Sequence, residues 1–117
     1  MPLIQVVTSA PAAASAHERG LLGRLSTLLA ERLKKPERYV MTCLNTSAHM
    51  TFAGSEQPAC YVEIKNIGRF TPEATRALSG EVCDLLAKEL NVARDRIYIE
   101  FTDTQGHLWG HDGDTFA

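Results

Sequence analysis

Two hydrophobic rhythms alternate along this chain. Leu3-Ile4-Gln5-Val6-Val7 is a short, β-branched, largely apolar run, as a buried strand requires. Thr8 to Ala14 shows no period and reads as a loop. Then Leu21, Leu22, Leu25, Leu28, Leu29 and Leu33 recur at steps that place them on one stripe of a helix. Ser15-Ala16-His17-Glu18 ahead of them has the form of a capping box, with Ser15 as N-cap. Lys34-Lys35-Pro36 ends the helix, because the residue before a proline is pushed out of the helical region. Tyr39 to Leu44 is a second strand candidate.

The succession then returns. Ala59 to Ile67 alternates Val62 and Ile64 with Glu63 and Lys65, the pattern of a strand. Thr71-Pro72-Glu73 is a helix start, with Thr71 as N-cap and Pro72 in the first helical position. Ala74, Leu78, Val82, Leu85, Leu86 and Leu90 supply its apolar stripe. Ile97 to Phe101 is a strand with Ile97, Ile99 and Phe101 on one face and Tyr98 and Glu100 on the other. The letters repeat as well. Residues 28–33 read LLAERL and residues 85–90 read LLAKEL, an offset of 57; Glu37-Arg38 and Asp95-Arg96 precede the second strands at an offset of 58. Together these predict a tandem duplication: one domain over 1–117, pseudo-repeats at about 2–57 and 58–102, and a tail at 103–117.

Each half is then a right-handed β-α-β unit with parallel strands. The expected class is α/β (α+β): two tandem β-α-β units forming a four-stranded mixed sheet with two helices on one face. The bare face is expected to carry apolar residues that need cover, which points to self-association. The tail is rich in Gly, Asp and His, with a short strand expected at His107 to Trp109 and loop elsewhere.

Composition adjusts this picture in a few places. With 117 residues, 44% hydrophobic and 22% charged, the chain has enough apolar surface to fold, which excludes disorder. No apolar run reaches the roughly 18 residues of a membrane span. A formal charge of −2 leaves no basic footprint, so nucleic acid is not an expected partner. A chain this short has little core to spare, which again favours packing between subunits. Cys43, Cys60 and Cys83 form no CxxC pair, so they read as core thiols in a reducing compartment. Ala12 to Ala16 looks like a cleavage region, but no basic residue precedes it and the apolar stretch is too short for a signal peptide. The cytoplasm is the expected location, with release that needs no signal peptide as the alternative.

Most candidate chemistry fails on spacing. His107 and His111 lie four apart, but Gly106, Gly110 and Gly113 argue against the helix that would aim both at zinc, so no metal is expected. Asp112-Gly113-Asp114 is too short for a calcium loop. Nucleophile elbows and phosphate loops are missing, and no cofactor is expected. The exception is Met1-Pro2. An initiator Met before a small residue is normally removed, which leaves a secondary amine at Pro2; with Met1 attached that nitrogen is a tertiary amide and no base. An amine of depressed pKa serves as a general base near neutral pH. Lys35 follows the first helix at the same end of the sheet, where its charge would lower that pKa and attract an anionic substrate. The plainer role for Lys35 is electrostatic capping of the helix C-terminus.

Met1-Pro2, LKKPERY at 33–39, Phe52-Ala53-Gly54-Ser55, Ile67-Gly68, Asp95 to Ile99 and Thr115-Phe116-Ala117 extend the argument. With these the sequence resembles, end to end, the macrophage migration inhibitory factor family of the tautomerase superfamily. The resemblance implies a homotrimer in which the sheets surround a central channel, the helices lie outside and three active sites sit at subunit interfaces. It implies that Pro2 is the catalytic base and proton carrier, that Lys35 binds a substrate carboxylate and that the Ile67 backbone N–H contacts it. Tyr98 matches a pocket tyrosine supplied by the neighbouring subunit, and Tyr39 and Phe116 match an aromatic rim. Three positions depart from the family pattern. Glu100 replaces a common Asn at the far end of the substrate, and a carboxylate there accepts but does not donate. His111 stands where a rim Trp is usual, with Trp109 displaced by two. The aligned segment Ala59-Cys60-Tyr61-Val62 lacks the redox CxxC, so thiol-disulfide chemistry is not expected.

The function this implies is keto-enol tautomerisation of small α-keto acids such as phenylpyruvate. The alternative is a cytokine-like ligand that binds a receptor protein, with vestigial catalysis. Other superfamily reactions, dehalogenation or decarboxylation, usually place arginines near the proline, and residues 3–18 contain none.

Overall fold

The computed structural model describes all 117 residues. Six strands and two long helices follow in the order β1 (Leu3–Thr8), α1 (Ser15–Leu33), β2 (Met41–Asn45), β3 (Cys60–Ile67), α2 (Pro72–Leu90), β4 (Ile97–Thr104), β5 (Gly110–His111) and β6 (Asp114–Thr115). The main sheet has the order β2-β1-β3-β4. β1 runs parallel to β2 and β3 parallel to β4, while β1 and β3 meet antiparallel in the middle. The mixed four-stranded sheet with two helices is therefore the architecture the periodicity predicts. No helix is long and apolar enough to cross a membrane.

Side-chain alternation sorts the sheet into two faces. Ile4, Val6, Val62 and Ile64 point to the helices and are fully buried, against Leu21, Leu25 and Leu29 of α1 and Val82 and Leu86 of α2. Each such side chain contributes about 1.5–3 kcal/mol on burial. The other face carries the exposed apolar residues expected of it, Met41, Tyr61 and Tyr98, but it is not apolar throughout. In register across β2, β1, β3 and β4 it carries Asn45-Val7-Tyr61-Tyr98, then Cys43-Gln5-Glu63-Glu100, then Met41-Leu3-Lys65-Thr102. The central row is polar, because Gln5, Glu63 and Glu100 fall on the same parity in three adjacent strands.

Local signals at the helix ends partly hold. Thr71 caps α2 as expected, its Oγ1 accepting from the Ala74 N–H at 3.1 Å, with Pro72 in the first turn. Ser15 does not cap α1: Ala14 is the N-cap and makes no side-chain bond. Glu18 reaches back instead to the Ala13 N–H at 3.0 Å. Both helices end in a left-handed residue, Lys34 at φ 54° and Asn91 at φ 55°. Each second strand is then preceded by one 3-10 turn, Glu37–Tyr39 and Arg94–Arg96, so β2 starts at Met41 rather than Tyr39.

The tail is corrected as well. Gly106–Leu108 is a 3-10 turn, not a strand, and residues 110–115 form a tight hairpin. Its two turn residues, Asp112 and Gly113, both have positive φ (51° and 77°), the requirement of a type I′ hairpin turn.

Candidate active site

The first strand places Pro2. The Met41 N–H donates to the Pro2 carbonyl at 3.0 Å, which carries the β1–β2 ladder one residue beyond β1. Pro2 is fully buried. The helix terminus places the next wall: left-handed Lys34 turns the chain, the Lys35 N–H closes onto the Ala30 carbonyl at 3.1 Å, and the 3-10 turn brings Arg38 and Tyr39 beside the strand.

The tail supplies the third wall. The Phe116 N–H is shared between the Gly106 and Trp109 carbonyls, at 3.1 and 3.2 Å, which folds the last residues back over the sheet end. Gly106 is obligatory for this closure, since a Cβ there would lie 2.3 Å from the Phe116 carbonyl oxygen. Three rings then meet. Tyr39 packs edge-on against His111 at 5.9 Å and against Phe116 at 5.8 Å, and His111 stacks on Phe116 at 5.4 Å. The Arg38 guanidinium lies over the Tyr39 ring at 4.8 Å.

These walls enclose a cavity of about 240 Å³ that includes Pro2, Arg38, Tyr39, Trp109, His111 and Phe116. Four of the expected site residues, Pro2, Tyr39, His111 and Phe116, thus share one pocket. Arg38 and Trp109 were not expected there. The signal for both was local: Arg38 adjoins Tyr39, and the Asp112-Gly113 turn is what returns residues 109–111 to the pocket. Lys35 is not a wall residue, yet it acts on the site. The terminal amine, here on Met1, is held below its ordinary value by burial and then by the Lys35 ammonium. A neutral amine at the pocket is the chemical form a general base needs. Ile67 ends β3 at this same end of the sheet, because Lys65 pairs with Leu3.

Tyr98 and Glu100 do not join this pocket within one chain. They lie on β4, separated from β1 by β3, on the face away from the helices. Tyr98 is 64% exposed and rests on the Phe52 ring at 4.9 Å. Glu100 accepts from the Thr102 hydroxyl at 2.6 Å. A larger groove, lined by Pro72, Arg76, Ser79, Arg94 and Phe101 among others, runs between α2 and β4 and contains none of the residues of the Pro2 pocket.

Comparison with known proteins gives a consistent result. The sequence model described as "Macrophage migration inhibitory factor (MIF)" matches residues 1–117. The macrophage migration inhibitory factor of Meriones unguiculatus is 35% identical over 117 residues, covering all of both chains. The homolog from Brugia malayi is 33% identical with the same full coverage. Among solved structures, the homologue from Prochlorococcus marinus is 46% identical, with a TM-score of 0.93 over 98% of this chain and 99% of that one. The Toxoplasma gondii protein superposes at a TM-score of 0.92 with 26% identity, over 97% and 99%.

Proposed function

This chain belongs to the macrophage migration inhibitory factor family, and from that premise we propose that it is a cofactor-independent keto-enol tautomerase of small α-keto acids such as phenylpyruvate. The observation that carries the proposal is the buried Pro2 beside an apolar, aromatic-walled cavity, with the terminal amine depressed by burial and by Lys35. The active form is the chain that begins at Pro2. Its neutral nitrogen takes the proton from the carbon next to the keto group, and the electron pair moves onto the carbonyl oxygen. The prolinium then delivers that proton to the oxygen, which completes the enol; ketonisation runs the steps in reverse. Lys35 and the Ile67 N–H hold the substrate carboxylate, and Tyr39 and Phe116 pack on its ring. The amine provides both acid and base forms, so the cycle consumes no reagent.

The proposal includes a homotrimer, because Tyr98 and Glu100 lie too far across the sheet to serve their own chain's pocket. Phenylpyruvate turnover by the wild type and by Pro2→Gly tests the reading. A large loss of turnover is expected, because glycine leaves only a flexible primary amine in place of the ring-held secondary amine; roughly 10²–10⁴-fold is the effect of losing the acid–base group altogether. Equal rates would sink it, and so would an intact mass that retains Met1 in an active preparation.

A second reading, a cytokine-like ligand of a receptor protein, draws on two departures in the site. Glu100 brings a carboxylate where a donor is usual, and His111 replaces a rim indole. On this reading Pro2→Gly protein keeps full affinity for a receptor ectodomain. A wild type that fails to bind excludes that receptor.

A further inference from the structure

One polar atom near the site has no place in the mechanism above. The Asn66 Oδ1 is buried and accepts no hydrogen bond from the protein, in a residue only 4% exposed. Burying an acceptor without a donor is unfavourable, so an atom in this state marks a place where a donor belongs. Register names a candidate donor. Leu3 pairs with Lys65 in the antiparallel β1–β3 ladder, and one step further sets Asn66 opposite Pro2. Both lie on the helix-facing side, as Ile4 and Ile64 do. Directly opposed residues on one face hold their Cβ atoms about 4.5–5.5 Å apart, within reach of a side-chain amide.

We propose that Asn66 Oδ1 is the hydrogen-bond acceptor for the protonated Pro2 amine in the chain that lacks Met1. With Met1 attached, the Pro2 nitrogen carries no hydrogen, and the acceptor is left unsatisfied. Removal of Met1 creates the N–H it lacks. The inference rests on the tautomerase reading for its purpose, but not for its geometry.

The role is to set the proton affinity of the base. Burial and then Lys35 disfavour the charged form of the terminal amine on Met1, and both act in the same direction on a prolinium one residue further in. Arg38 and His111 line the same cavity, and Arg38 adds positive charge. These influences all weaken the hold of the amine on its proton. An acceptor bonded to the charged form favours it and raises the pKa. Asn does this without a full charge, whereas a carboxylate would lock the proton in place. Tyr39 also faces the cavity, and Asp103 stands opposite Asn66 in the β3–β4 register. None of the ion pairs includes Lys35, so its charge is not neutralised by a carboxylate.

The test is a titration of the Pro2 nitrogen by NMR in protein labelled with 15N-proline, with loss of Met1 verified by mass. Asn66→Ala is expected to lower the Pro2 pKa by about one unit, the size of one hydrogen bond to a charged group. Asn66→Ser, which keeps an acceptor, is expected to fall between the two. Asn66→Asp is expected to raise the pKa above wild type. If alanine disrupts folding, the Ser and Asp variants carry the comparison. An unchanged titration in folded Asn66→Ala, or in both folded Ser and Asp variants, overturns the assignment. Phenylpyruvate turnover measured alongside separates the two ideas. A wild type without turnover but with the expected titration shifts rejects the tautomerase reading alone. Turnover with unshifted titrations rejects only the role of Asn66.

Discussion

Replacing Lys35 removes the positive charge that, after burial, holds the terminal amine below its ordinary value. The sign follows directly. On the tautomerase reading catalysis needs the neutral amine, so the rate is expected to rise with pH through the pKa of Pro2. Without the cation that pKa moves up toward the ordinary N-terminal range of about 7.7–8.0. Lys35→Met is therefore expected to shift the acid limb of the kcat/KM profile to higher pH. It is also expected to weaken phenylpyruvate binding by roughly tenfold to hundredfold, the loss of one charged hydrogen bond. A pH–rate series on both proteins checks each part. The cysteines give a second residue-scale expectation. Burial pushes the Cys60 thiol up, partly opposed by its hydrogen bond to the Thr8 hydroxyl at 3.4 Å. Burial likewise raises Cys83. Both should resist a thiol reagent in the native protein and react only on unfolding, as a timed alkylation read by mass would show.

Individual elements depend on a few tight contacts. Arg96 donates to the carbonyls of Phe52, Ser55, Gln57 and Pro58 at 2.8–3.1 Å and lies 5.3 Å from the Phe52 ring centroid. It therefore clasps the 52–58 loop to the foot of β4. Arg96→Ala should cost about 1–3 kcal/mol by chemical denaturation, and lysine should not restore it, having one point charge where four carbonyls need a fork. Gly106→Ala forces a Cβ into the Phe116 carbonyl and should displace the tail. Phenylpyruvate KM is then expected to rise several-fold while the core keeps its stability, which kinetics and thermal melting together would reveal. Period made the strands and helices of the main sheet legible, because burial on one face leaves its mark every second or every third to fourth residue. The hairpin at 110–115 escaped because its strands are two residues long, too short for any period. Asp112-Gly113 is the signal that encodes it, a two-residue turn with positive φ at both positions. The polar central row of the open face was present in the letters Gln5, Glu63 and Glu100. It became visible only once register set the three strands side by side. The convergence of Tyr39, His111 and Phe116 spans most of the chain, and no local pattern encodes it.

For the molecule as a whole, Tyr98 gives the sharpest test of assembly. If a neighbouring subunit supplies it, Pro2→Gly and Tyr98→Ala proteins are each inactive alone. Mixed, denatured and refolded together, they should regain part of the activity, because some interfaces then pair an intact Pro2 with an intact Tyr98. Separate refolding should regain none, and sedimentation should report three chains per particle. A site confined to one chain predicts no recovery on mixing.

The Phe116–Gly106 closure has a consequence for the order in which this protein becomes competent. The sheet and its core are finished by Thr104, whereas the pocket needs residue 2 at one extreme of the chain and residue 116 at the other. The sheet already holds residue 2 in place, so the closure needs only the tail after Thr104, and it cannot form until those last residues exist. A chain released before its last ten or so residues would keep its sheet and its circular dichroism, yet present an open groove where the pocket should be. On the tautomerase reading, binding of a ring-bearing keto acid would thus be a quality check on synthesis, reporting that translation has run to the last codons.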